Sequence, residues 1–105
     1  VEMSALRPLV PLDTAASFPA LHAALLACLA TLPPDAWDRP TVAGAWRVRD
    51  VAAHLLDGDL RKLAAHRDGH VPAPDGPLDG YADLVAFIGR LNAGGVAYGA
   101  RLSPR

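Results

Sequence analysis

Apolar residues recur along this chain in three runs at helical spacing, separated by connections rich in proline and glycine. In the first run, Phe18, Leu21, Leu25, Leu29 and Leu32 follow one another at intervals of three and four, which lines them along one side of a helix. Asp13 or Thr14 stands where a side chain accepts from the free N–H groups of the first turn. Pro33-Pro34 closes the run, because neither residue continues the hydrogen-bond ladder. The spacing predicts a helix over about 14–32. A second helix is predicted over about 47–67, with Val48, Val51, Ala52, Leu55, Leu56 and Leu63 on its apolar side and Asp50 in its first turn. Asp68-Gly69 followed by Pro72 and Pro74 gives it a stop signal. The third is predicted over about 79–102 through Leu84, Val85, Ile88, Leu91, Val96 and Leu102, with Gly94-Gly95 as an internal weakness. Three such helices joined by loops predict an all-α antiparallel bundle.

Composition supports the helices. Alanine and leucine supply 37 of the 105 residues, and the β-branched valine, isoleucine and threonine only 12, so an all-β fold is excluded. A chain of this length holds a single domain. Ten basic side chains against eleven acidic ones, for a net charge of −1, give no electrostatic reason for nucleic acid or an anionic membrane as a partner. The longest apolar stretch is interrupted by His22 and falls short of the roughly 20 residues of a bilayer span. No basic-then-apolar leader opens the chain, and the lone Cys28 has no intramolecular disulfide partner, so a reducing, cytoplasmic setting is expected. The start at Val1 and the stop at Arg105 within a polar stretch suggest a piece of a longer protein.

Four histidines are the first candidates for chemistry. His54 sits at the margin of the second helix's apolar face, one turn after Asp50. There it can serve as a metal ligand, although periodicity alone favours a boundary histidine hydrogen-bonded to a neighbour or paired with Asp50. His66 and His70 have the spacing of a helical ligand pair, but Gly69 breaks the helix between them. His66 is expected near the last carbonyls of that helix. His22 falls within the first apolar stripe and is expected to face a helix interface. Cys28 has no cationic neighbour in sequence and reads as an inert buried thiol. Ser4, Ser17 and Ser103 have no histidine in any nucleophile motif. Asp57 and Asp59 read as a solvated face. Trp37 and Trp46 flank the loop before the second helix, either as plugs at the end of the bundle or as the lining of a cleft.

Two segments carry a resemblance. Trp37-Asp38-Arg39-Pro40-Thr41 has the form W-x-x-P-T. Gly44-Ala45-Trp46-Arg47-Val48-Arg49-Asp50-Val51-Ala52-Ala53-His54-Leu55 has the form G-x-W-x-V-x-D-V-x-x-H-L. In this order they resemble the N-terminal, metal-binding domain of the mycothiol-dependent maleylpyruvate isomerases, within the DinB/YfiT-like superfamily. The resemblance implies a four-helix bundle, of which residues 1–105 would be a single incomplete domain with the fourth helix missing. It implies a divalent metal, zinc foremost, with His54 as one of three ligands and the others on a later helix, as an E-x3-H pair in the isomerases or as histidines in other branches. It also implies mycothiol or a similar thiol as cofactor, ionised at the metal, and a small-molecule substrate for a thiol-dependent isomerase or transferase. Two departures stand out: Arg47 replaces the Thr or Ser of a capping box, and Gly94-Gly95 replaces bulkier residues. With His54 alone, this chain is expected to be catalytically inactive. The alternative is a non-enzymatic helical interaction module, or a homodimer formed through the open face of the bundle.

Overall fold

A computed structural model describes residues 5–105, so Ser4 and the opening of the chain lie outside the described residues. Among these residues the regular structure is helical, with no strand beyond an isolated bridge between Pro40 and Arg47. The chain divides into two compact units, Val1–Leu32 and Pro33–Arg105.

The first unit is one helix, α1 (Phe18–Ala30), entered through a 3-10 turn at Ala15–Ser17. Asp13 accepts the Ala15 N–H at 3.0 Å, while the Thr14 side chain makes no cap bond. The helix ends sooner than the apolar spacing predicts. The Thr31 hydroxyl donates to the Cys28 carbonyl at 2.8 Å, and Leu32, which precedes Pro33, is disfavoured in helical conformation. Within its unit α1 packs on the short turn before it, too small to cover a stripe. Leu25 and Leu29 are half-buried, whereas Phe18 and Leu21 are exposed.

The second unit begins with a 3-10 turn at Pro34–Asp38, which holds Ala36 and Trp37, at 5% and 6% exposure the two buried hydrophobic residues among those described. This turn packs against α2 (Val48–Asp68), so Trp37 is docked as the plug reading requires. Gly69 closes α2 in the left-handed region at φ 65°, where lack of a Cβ removes the steric penalty, and its N–H donates to the Ala65 carbonyl. The helix thus stops between His66 and His70.

The last helix, α3 (Tyr81–Gly99), starts after Gly80, whose extended backbone precedes it, and the Asp83 carboxylate reaches back to accept the Asp79 N–H at 2.9 Å. Beyond Gly99 the chain tightens into i→i−3 bonds from Arg101 and Leu102, so α3 ends before Leu102.

Helices α2 and α3 are antiparallel: Ala53 faces Gly99, Asp57 faces Gly95, and Arg61 reaches Asn92. The contact explains two of the glycines that weaken α3. A Cβ on Gly99 would stand 2.5 Å from the Ala53 Cβ, and one on Gly95 would run into the Asp57 side chain, so both keep the helix axes close. Gly94 has open space around it. Asp57 is therefore part of a helix–helix contact rather than of a solvated face. Its carboxylate accepts from Arg61 Nε at 3.0 Å, and Arg61 Nη2 donates to Asn92 Oδ1 at 2.8 Å.

Candidate functional site

The loop from Thr41 to Trp46 and the first two turns of α2 build the site. The Thr41 hydroxyl accepts the Ala43 N–H at 3.1 Å and donates to the Trp46 carbonyl at 2.6 Å. Gly44, at φ 63°, makes the left-handed bend that returns the chain. The Trp46 N–H donates to the Ala43 carbonyl, and the Val48 N–H to the Arg39 carbonyl. These bonds explain why Thr and Gly sit between the two tryptophans. They set the loop backbone on which Trp46 is carried.

At the entry to α2 the N-cap half of a capping box is missing, in line with the departure at Arg47: no cap hydrogen bond comes from its side chain. An arginine side chain only donates, so Arg47 supplies no acceptor of its own. The Asp50 carboxylate nevertheless accepts the Arg47 backbone N–H at 2.8 Å and its Nε at 3.3 Å, which closes the first turn from the other side. These bonds hold the Asp50 carboxyl below its ordinary range, the backbone N–H foremost, against the opposing effect of burial. Asp38 joins the cluster, with Arg47 Nη1 at 3.0 Å and Arg49 Nε at 2.9 Å. The Arg49 Nε–H points off the carboxylate, so this contact is an ion pair without a hydrogen bond.

His54 follows one turn later. Its imidazole packs on the Trp46 indole with ring centroids 5.0 Å apart and planes tilted by 41°. Its Nδ1 is buried and has no hydrogen-bond partner. A polar atom in that state costs about 1–3 kcal/mol, an amount that a ligand or a hydrogen bond would recover. Asp50 is committed to Arg47 and forms no bond with His54 among the described residues.

The other candidates do not gather around His54. Among the described residues no group of three or more His, Cys, Asp or Glu side chains could hold a metal ion. A structural or catalytic zinc site needs at least three protein ligands, so the donor set fits one ligand and not a complete centre. His66 and His70 are exposed on either side of the α2 terminus. His22 and Cys28, expected at an interface and in a core, are both exposed on α1, where their unit offers nothing large enough to cover them.

A groove of about 180 Å³ opens between α2 and α3, lined by Arg49, Ala53, Leu56, Leu60, Tyr98, Gly99 and Leu102 among others. His54 does not line it. On α2 the groove lining runs from Leu56 and Leu60, about 160° and 120° around the helix from His54, to Asp50 and Asp57, about 40° and 60° from it. Apolar periodicity pointed to the leucines. The groove itself was hidden, because it depends on how closely Gly95 and Gly99 let the helices approach.

Residues 18–102 match the family model of the mycothiol maleylpyruvate isomerase N-terminal domain. The chain belongs to that family. The match spans all three helices and the Trp37–His54 segment, on which the resemblance rests. A relative in Cellulomonas flavigena, an L-cysteine:1D-myo-inositol 2-amino-2-deoxy-alpha-D-glucopyranoside ligase, is 40% identical over 91 residues, covering 87% of this chain and 20% of the ligase. The chain thus spans about a fifth of that relative's length. No solved structure matches the chain significantly. No helix among the described residues is long and apolar enough to cross a membrane.

Proposed function

We propose that this mycothiol maleylpyruvate isomerase N-terminal domain serves a mycothiol-dependent isomerase or transferase, with His54 as one ligand of a divalent metal, zinc foremost. The carrying observation is the buried, unpartnered Nδ1 of His54 at the position of the family motif's histidine. On this reading the remaining ligands come from a fourth helix of a DinB-like bundle, and the 105 residues, contributing His54 as their one ligand, are inactive alone. A divalent metal would supply a low-pKa thiolate from a coordinated thiol. The ligase relative acts on L-cysteine and an amino sugar joined to inositol, which is in keeping with a thiol of that kind. The partner is then a small molecule in the cytoplasm, in line with the near-neutral charge and the lone cysteine.

Calorimetry on the metal-loaded complete protein tests this reading. Mycothiol should bind at least about tenfold more tightly than its S-methyl derivative, since only the free thiol can ionise at a metal. Equal affinities would overturn it.

One feature favours a second reading, an interaction module. Leu56, Leu60 and Leu63 on α2, Ile88 on α3 and Leu102 in the turn after α3 are 42–55% exposed, an apolar surface suited to another helix or a second copy. A concentration-dependent dimer of the chain in sedimentation would support that reading, and a monomer at all concentrations would remove the homodimer.

A further inference from the structure

We infer that the groove between α2 and α3 binds a carboxylate carried on a short acyl chain, with Arg49 anchoring the carboxylate and Leu56 and Leu60 bedding the chain. His54 does not line this groove, and the site does not depend on the metal reading. Arg49, Ala53, Leu56 and Leu60 line it from α2 and follow one another at intervals of four, three and four. That spacing sets them along one side of the helix, with the guanidinium at the N-terminal end of a stripe about 16 Å long. Tyr98, Gly99 and Leu102 line it from the other side, kept near by the close approach at Gly95 and Gly99. The volume of about 180 Å³ slightly exceeds the roughly 150 Å³ of an apolar cavity that takes up benzene, which leaves room for about six to eight carbons.

Charge decides which head group the chain carries. Three charged residues line the groove: Arg49, Asp50 and Asp57. Both aspartates are already matched, Asp50 by the Arg47 N–H and Nε and Asp57 by Arg61 Nε. Arg49 is matched in charge by Asp38, 2.9 Å away, but not in hydrogen bonding. Its Nε is buried without a partner, its guanidinium makes no hydrogen bond among the described residues, and Asp38 accepts from Arg47 instead. A guanidinium offers five N–H donors in a fork that fits a carboxylate, so a bound carboxylate supplies the bonds that Arg49 lacks. Arg101 adds positive charge on the opposite wall, with its guanidinium carbon 5.9 Å from the centroid of the Tyr98 ring. Among the groups engaged with the lining, Arg47, Arg49, Arg61 and Arg101 thus stand against Asp38, Asp50 and Asp57. An apolar groove with a positive excess and an under-bonded guanidinium at one end favours an anion with an apolar tail over a cation or a neutral chain.

The test is a titration of the metal-free 105-residue chain with hexanoate, followed by the methyl resonances of Leu56, Leu60 and Leu102. Binding should saturate at millimolar hexanoate or below, the range open to so small a ligand. Affinity should rise about two- to fourfold per methylene from butyrate to octanoate, as the chain leaves water. Hexanol, which keeps the chain and lacks the charge, should bind about tenfold more weakly. Arg49→Gln should weaken hexanoate by about tenfold and leave hexanol unchanged, and Arg49→Lys should recover part of the loss. Leu60→Asp, at a half-exposed position, should weaken both ligands. Circular dichroism confirms that each variant keeps its helices, and the comparison of hexanoate with hexanol needs no variant. Equal affinity for the two, no methyl shift at millimolar hexanoate, or a hexanoate affinity that a folded Arg49→Gln protein retains would each overturn the inference. So would a concentration-dependent dimer that hexanoate cannot enter, which would give the groove to a second copy of the chain.

Discussion

Neighbouring glycines in α3 should respond to alanine with opposite sign. Gly94 and Gly95 share the helix interior, so each gains about 1 kcal/mol of helix propensity when replaced by alanine. At Gly94 nothing lies within 4 Å of the new methyl group, and the gain should appear in full. At Gly95 the methyl meets the Asp57 side chain, whose Cβ would be only 2.8 Å away and whose carboxylate is tied to Arg61. Overpacking of this kind costs about 1–3 kcal/mol, so Gly95→Ala should come out about 0–2 kcal/mol destabilised. The gap between the two variants, about 1–3 kcal/mol, measures the overpacking alone, since the propensity term cancels. Urea unfolding followed by tryptophan emission is the suitable assay, because Trp37 and Trp46 both belong to the Pro33–Arg105 unit. The midpoints should separate with the slope unchanged. If Gly95→Ala is as stable as Gly94→Ala, α2 and α3 do not approach as closely as described here, and the Asp57–Arg61–Asn92 bridge loses its setting.

Trp37→Ala should cost about 3–5 kcal/mol, because it removes the large buried side chain of its unit, and should unfold that unit by circular dichroism at 37 °C. Asp50→Ala should cost about 0.5–2 kcal/mol at neutral pH through loss of the first-turn closure. Its folded-state pKa is lowered, so the Asp50 contribution is complete above the unfolded pKa, near 3.9 in an ordinary aspartate, and is lost as pH falls through the lower folded value. The stability gap between wild type and variant should therefore shrink in acid, and a gap independent of pH would contradict the closure. Asp68 and Asp75 are also lowered, by Arg67 and Arg90, but those exposed pairs are common to both proteins and cancel in the comparison.

The helices were legible because each rests on local signals: apolar residues three and four apart, Pro33 and Gly69 as stops, and Asp50 in a first turn. Their ends moved by a few residues where Thr31, Gly80 and the turn after Gly99 bind backbone groups in ways that periodicity does not register. Partnerships were less legible. Periodicity shows that a residue shares a stripe and not whether anything covers it, which is why His22 and Cys28 were expected inside and lie exposed. Asp57 looked like surface, although Arg61 four residues on and the small Gly95 were the available clues to its place between helices. At Arg47 the lost N-cap acceptor was legible from the residue type, and the half of the box that remains runs from its backbone N–H to Asp50. His54 was singled out by its motif. Its contact with Trp46 and its unpartnered nitrogen emerged only once the loop was folded back on α2.

Zinc per polypeptide, by elemental analysis of a sized chromatographic peak, tests the role of His54 most directly. The complete protein should hold about one equivalent, as a site of three or four ligands does, and His54→Ala should lose it while keeping its helices. Full retention of zinc by a folded His54→Ala protein would contradict the account.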